Sequence, residues 1–92
     1  MAEITVVPKG GDVYAVAVQD DTATQHTVTV SEDYYQKLTR GNITREDLLI
    51  RSFEFLLDRE SNTMIFTRFD LPVITQYFPE YESEITASLK QS

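Results

Sequence analysis

The first thirty residues carry short runs of apolar and β-branched side chains that predict β-strands. The three runs cover residues 4–7, 13–18 and 26–30. Residues 8–12 join the first two runs and contain a Gly-Gly pair, which accepts the positive φ angles of a tight turn at no steric cost. Residues 20–24 are mostly polar and supply the second turn. We therefore expect an N-terminal three-stranded antiparallel β-meander.

The middle run is apolar on both sides of the predicted strand. Alternation places Tyr14, Val16 and Val18 on one face. The other face carries three smaller apolar side chains, Val13, Ala15 and Ala17. In an antiparallel sheet the second face commonly meets solvent and is polar. This strand is therefore predicted to be central with cover on both sides, or to have its second face hidden by another chain.

After residue 30 the spacing of apolar residues changes to that of α-helices. Ser31 is a good N-cap for a helix that reaches about Thr39, and Gly41 is placed to end it. Thr44 is the predicted N-cap of a longer helix over residues 45–60. Hydroxyl side chains suit these positions because their oxygen accepts a hydrogen bond from a free backbone N–H of the first turn.

The predicted helix over residues 45–60 is apolar around much of its circumference. Its main face is formed by Leu49, Ile50, Phe53, Leu56 and Leu57, and Leu48 and Phe55 form a second apolar edge. Burial of both regions requires two packing surfaces. We predict that a partner or a second copy contacts the residues outside the main face, namely Leu48, Arg51, Phe55 and Arg59. The alternative is that a C-terminal helix of the same chain covers them.

The last third of the chain predicts a C-terminal helical region. Residues 63–69 fit neither strand nor helix periodicity cleanly, and helix is weakly favoured. A short helix is expected from Asp70 to about Phe78, followed by a terminal helix over residues 79–90. The expected fold is a single α+β domain, in which the meander is followed by three to five short helices. Its parts are a β region over 1–30, a helix pair over 31–60 and a C-terminal helical region over 61–92.

Composition excludes several classes of function. The chain has no cysteine, which excludes disulfide scaffolds, thiolate nucleophiles and cysteine-based metal sites. Its net charge of −7 opposes binding to nucleic acid or to an anionic membrane surface. No apolar run has the length of a signal peptide or of the ~20 residues of a membrane span. We therefore expect a cytoplasmic protein that has no membrane association.

Candidate catalytic chemistry is sparse. His26, the single histidine, lies on the apolar face of its strand with no neighbouring nucleophile or acid, which favours a structural role. The acids at Asp20-Asp21 and at residues 80–84 lack the spacing of a calcium loop, so a solvated surface explains them better than a metal site. Gly10-Gly11 precedes a strand, as in a hairpin, and lacks a phosphate-binding pattern. We predict no catalytic, cofactor-binding or metal-ligating residues and no cofactor, and the sequence identifies no small-molecule substrate.

The stretch from Gln25 to Glu60 places a Thr-Val-Thr-Val strand directly before two capped helices. This order resembles the ribbon-helix-helix family of dimeric DNA-binding proteins, in which a strand from each chain pairs and enters the major groove. The resemblance implies base contacts from the outward-facing side chains of that strand and a phosphate contact from the start of the second helix. Those positions are Gln25, Thr27, Thr29 and Arg45.

Two functional hypotheses follow from these patterns. The leading one is a non-enzymatic protein–protein interaction module that acts as a homodimer or as a subunit docked on a larger partner. It is motivated by the two-sided apolar helix and by the absence of a recognisable catalytic constellation. The alternative, implied by the resemblance, is a DNA-binding or antitoxin-type regulator.

Overall fold

The sheet contains the predicted meander and one additional strand. The computed structural model describes residues 2–90. Its first three strands are β1 (Glu3–Gly10), β2 (Val13–Gln19) and β3 (Ala23–Thr29), and each pairs antiparallel with the next. Gly10 and Gly11 have φ angles of 113° and 56°, which confirms the predicted turn. A fourth strand, β4 (Arg68–Asp70), lies parallel to β3, and the strand order is β1-β2-β3-β4.

Four α-helices complete the α+β fold. They are α1 (Glu32–Thr39), α2 (Arg45–Leu57), α3 (Ile74–Tyr77) and α4 (Tyr81–Lys90). The two predicted caps are confirmed, because the Ser31 side chain accepts a hydrogen bond from the Tyr34 N–H and the Thr44 side chain accepts one from the Asp47 N–H. Helix α2 ends three residues before the predicted boundary at Glu60.

The segment between α2 and α3 corrects the sequence-based expectation. Residues 62–64 form one turn of 3₁₀ helix, and β4 follows at residues 68–70, so the weakly favoured helix over 63–69 is wrong. The predicted helix over 70–78 is a 3₁₀ turn at Leu71–Val73 followed by the single turn of α3. The strand forms because the edge of β3 supplies hydrogen bonds from about forty residues earlier in the chain, including one from the Thr27 N–H to the Thr67 carbonyl at 2.7 Å.

The core brings together the inner face of the sheet and the apolar sides of the helices. Val16, Val18 and Val28 from the sheet are buried with Leu49 and Phe53 from α2. On the opposite face of β2, Val13, Ala15 and Ala17 are only half-buried, so β2 is central in the sheet but its second face has no full cover within the described chain.

Candidate functional site

Three large apolar side chains that face solvent lie together at one end of the molecule. Among the described residues the exposed large hydrophobic side chains are Val7, Met64, Phe66 and Tyr77. Met64, Phe66 and Tyr77 are 70%, 51% and 60% exposed, and all three line one groove. Val7 lies apart from them on β1. Clustered apolar exposure of this kind is typical of interaction surfaces, whereas single exposed residues are ordinary.

This apolar groove has a volume of about 280 Å³ and is almost free of charge. Its floor is formed by core residues, namely Leu56, Ile65, Phe69 and Ile74, and its walls by Met64, Phe66, Val73, Tyr77 and Phe78. Glu60 is the one ionisable side chain among the lining residues apart from the Tyr77 hydroxyl. The groove can therefore accept one or two apolar side chains, and it offers a single carboxylate at its edge.

Aromatic contacts organise the exposed wall of the groove. The rings of Phe66 and Tyr77 are 5.4 Å apart between centroids and inclined by 69°, and Phe66 also meets Phe69 at 6.5 Å. Edge-to-face pairs at such distances contribute about 0.5–1.5 kcal/mol beyond their buried area. The two exposed rings therefore support each other and present a defined surface to solvent.

A buried polar network fixes the segment that carries Met64 and Phe66. The Asn62 side-chain amide donates to the Thr22 carbonyl at 2.7 Å and to the Thr24 hydroxyl at 3.0 Å. The Thr24 hydroxyl lies 2.9 Å from His26 Nε2, and His26 Nδ1 lies 2.7 Å from the Phe66 carbonyl oxygen. Because a carbonyl only accepts, Nδ1 carries the hydrogen in that bond. The network thus holds both ends of residues 62–66 against β3.

The single histidine of the chain, His26, is a buried member of this network. His26 is 3% exposed and packs on the Phe53 ring at 5.3 Å between centroids. Both ring nitrogens are bonded to uncharged groups, the Thr24 hydroxyl and the Phe66 carbonyl, and no carboxylate is among their partners. His26 is therefore buried and bonded on both sides, as a structural histidine would be, and one of its partners lies forty residues away in the sequence.

Acidic side chains line a shallow cleft beside the apolar groove. This acidic cleft contains four carboxylates, from Asp20, Glu54, Asp58 and Glu60, and Glu60 lines both the cleft and the groove. None of the four forms an ion pair with another described residue. Within residues 2–90 no three His, Asp or Glu side chains are grouped closely enough to hold a metal ion.

No protein family, curated protein or solved structure matches this chain. Within residues 2–90 no helix has both the length and the apolar character needed to cross a bilayer. A function for this chain can therefore be proposed only from the arrangement of its own side chains.

The α2 residues that the sequence predicted to contact a partner instead contact other residues of the same chain. Leu48 and Phe55 are 0% and 6% exposed, and Phe55 packs against the Tyr81 ring of α4 at 5.2 Å. Arg51 donates to the Ser88 hydroxyl at 3.1 Å, and Arg59 pairs with Glu80 and Glu84 of the same chain. The alternative, in which the C-terminal helix covers the second apolar edge, is the observed arrangement. Leu48 and Phe55 are consequently unavailable to a partner.

The residues implied by the ribbon-helix-helix resemblance do not form one surface. Gln25, Thr27 and Thr29 lie on the open face of β3, whereas Arg45 is mostly buried and pairs with Glu32 at 2.6 Å and Asp12 at 3.5 Å. Over residues 27–29, β3 pairs with β2 on one side and β4 on the other within its own chain. The strand pairing between two chains that the resemblance requires is therefore blocked over these residues.

Sequence reasoning missed Met64, Phe66 and Tyr77. One signal was present: residues 64–69 are apolar at both odd and even positions, so any extended conformation must expose part of the set. Which part is exposed depends on the bond between His26 and the Phe66 carbonyl, which places Ile65 inward at 6% exposure and leaves Phe66 outward.

Proposed function

We propose that this chain is a non-enzymatic protein-binding module whose apolar groove receives an apolar side chain from another protein. The observation that carries the proposal is the grouping of Met64, Phe66 and Tyr77 around one groove. Three exposed side chains of this size are costly in water unless they are covered for part of the protein's life. Aromatic and methionine side chains are also the types enriched at the cores of protein interfaces.

A segment of a different protein fits the groove better than a second copy of the chain. Each copy carries a net charge of −7, and the acidic cleft directly adjoins the groove. A symmetric contact through this end would bring two acidic surfaces together at short range, where like charges are unfavourable. The groove volume of about 280 Å³ suits one or two anchoring side chains rather than a domain-sized apolar surface.

The proposal is tested by selecting binders from a display library of short random peptides. The protein is presented as wild type and as the double variant Phe66→Ser/Tyr77→Ser, in which two half-exposed rings are removed without opening the core. We expect peptides with an aromatic or aliphatic anchor to be enriched on the wild type, and the double variant to bind them at least about tenfold more weakly.

Val7→Ser is the matched control, because Val7 is an exposed large apolar residue outside the groove, at 46% exposure. Circular dichroism and urea titration verify that all variants fold. Equal binding by the wild type and the double variant, or enrichment that depends on Val7, would show that the groove is not the binding site.

A further inference from the structure

We infer that the partner segment in the apolar groove carries basic side chains next to its apolar anchor. This inference rests on the proposed function and specifies the chemistry of the occupant. Glu60 is half-buried at the junction of the groove and the acidic cleft. An anchor seated in the groove would remove more water from this carboxylate, and a carboxylate that loses water without a cation is unfavourable.

The two basic residues at the C-terminal half of α2 and just beyond it, Arg51 and Arg59, are already engaged within the chain. Arg59 binds Glu80 at 3.1 Å and Glu84 at 2.9 Å, and its guanidinium lies 3.6 Å from the centre of the Phe55 ring. Arg51 donates to Ser88 of α4. Glu54 and Asp58 line a second groove together with Arg51 and Arg59, but both cations bond to residues at α4 instead. The carboxylates of the acidic cleft therefore form no ion pair with another described residue.

The end of α2 increases the negative potential beside the groove. Backbone carbonyls give the C-terminal end of a helix a partial negative charge, which favours basic side chains there. The last turn of α2 contains no basic residue, and Glu54 and Asp58 lie at this end. Arg59, just beyond the C-cap, donates to the Phe55 carbonyl at 3.0 Å and is the one cation that this end of the helix receives from the described residues of the chain. Because Arg59 is shared with Glu80 and Glu84, the charges of Glu54 and Asp58 are not paired, and a cation that approaches from outside would be favoured here.

The spacing of the carboxylates suits a polypeptide better than a metal ion. No group of three acidic or histidine side chains in the described part of the chain is close enough to coordinate one ion. Carboxylates spread along a cleft can each meet a separate Lys or Arg side chain of an extended or helical segment. Nucleic acid and anionic lipid surfaces are disfavoured at this cleft by their own negative charge.

The test uses peptides enriched on the wild-type protein in the display experiment. Each is synthesised in three forms: unchanged, with Lys and Arg replaced by Gln, and with the apolar anchor replaced by Ala. Affinity is measured by fluorescence anisotropy at low and high salt, against the wild type and against Glu60→Gln. Glu46→Gln is the matched control, because it removes the same charge at the opposite end of α2.

We expect the enriched peptides to be basic and the Gln-substituted forms to bind about tenfold more weakly. Glu60→Gln should weaken binding of the unchanged peptide about fivefold and leave binding of the Gln-substituted peptide unaltered, while Glu46→Gln changes neither. One further variant should change stability and binding in opposite directions. Asp58→Asn should raise the urea midpoint of the free protein while weakening peptide binding, because it removes a charge that is unfavourable at the end of α2.

The failure of this inference and the failure of the proposed function give different results. Enriched peptides that need Phe66 and Tyr77 but carry no basic residues, or that ignore Glu60→Gln and salt, overturn the inference and leave the groove as the binding site. Basic peptides that bind equally well to Phe66→Ser/Tyr77→Ser show an attraction between charges alone and overturn the inference. Absence of any groove-dependent peptide overturns the proposed function.

Discussion

Replacement of His26 by alanine should strongly destabilise the protein and loosen the walls of the groove, although His26 itself is almost fully buried beneath them. The substitution removes the bonds of both ring nitrogens, to the Phe66 carbonyl at 2.7 Å and to the Thr24 hydroxyl at 2.9 Å. Each bond contributes about 1 kcal/mol net, and loss of the ring packed on Phe53 adds about 1–2 kcal/mol. The expected loss is about 3–4 kcal/mol, a large part of the ~5–14 kcal/mol typical of a domain of this length.

Urea titration followed by circular dichroism measures the global loss, and amide hydrogen exchange locates it. The Thr27 N–H bond to the Thr67 carbonyl should lose protection in His26→Ala, because the network no longer holds residues 62–66 against β3. His26→Asn should recover part of the stability, since its amide can replace Nδ1 as donor to the Phe66 carbonyl.

Gln25→Ala is the matched control on the neighbouring position of β3. Gln25 is exposed on the open face of the sheet, so its replacement should change the free energy of unfolding by no more than about 0.5 kcal/mol. A loss below about 1 kcal/mol in His26→Ala, or a change in exchange that is uniform across the chain, would refute the role assigned to the network.

Three further predictions concern the helices and the core. Ser52→Ala and Tyr81→Phe should each cost about 1–3 kcal/mol in urea titrations, and the double variant less than their sum, because their buried hydroxyls lie 2.6 Å apart; additive losses would contradict this. Burial raises the pKa of Tyr81, so the folded chain keeps a proton that the unfolded chain releases above about pH 10. The contribution of Tyr81 to the free energy of unfolding should therefore fall with increasing pH by up to about 1.4 kcal/mol per unit, in addition to that of Tyr34, whose pKa burial also raises. Tyr81→Phe should reduce that slope, and an unchanged slope would refute the assignment. Thr44→Ala should cost about 1 kcal/mol and Thr44→Ser little, measured by thermal unfolding, because the Thr44 hydroxyl caps α2; equal stabilities of the two variants would count against the cap.

Local chemistry made a large part of the fold predictable from the sequence. The Ser31 and Thr44 caps bond to N–H groups three residues later, so their signals lie within one short stretch of chain. The turn at Gly10 and Gly11 depends on two adjacent residues. The fold class followed from such elements, since the order of strands and helices restricts how they can pack.

Contacts between distant parts of the chain were not predictable in the same way. Strand β4 has only three residues, and its partner β3 lies about forty positions earlier. From the sequence, Leu48 and Phe55 could be covered either by a partner or by a C-terminal helix of the same chain. Which of the two occurs depends on where α4 packs. The groove could not be predicted from the sequence either. The exposure of Phe66 depends on the hydrogen bond between its carbonyl and His26, which lies on a different strand.

The polar network and the net charge together explain how this chain can carry an exposed apolar groove. The network fixes the backbone of residues 62–66, so Phe66 cannot exchange with Ile65 and turn its ring into the core. Exposed apolar groups of this kind promote association between copies, but a charge of −7 on each copy opposes it. The same charge attracts a basic segment. The net negative charge therefore disfavours contact of the groove with a second copy and favours its contact with the basic partner segment that we propose.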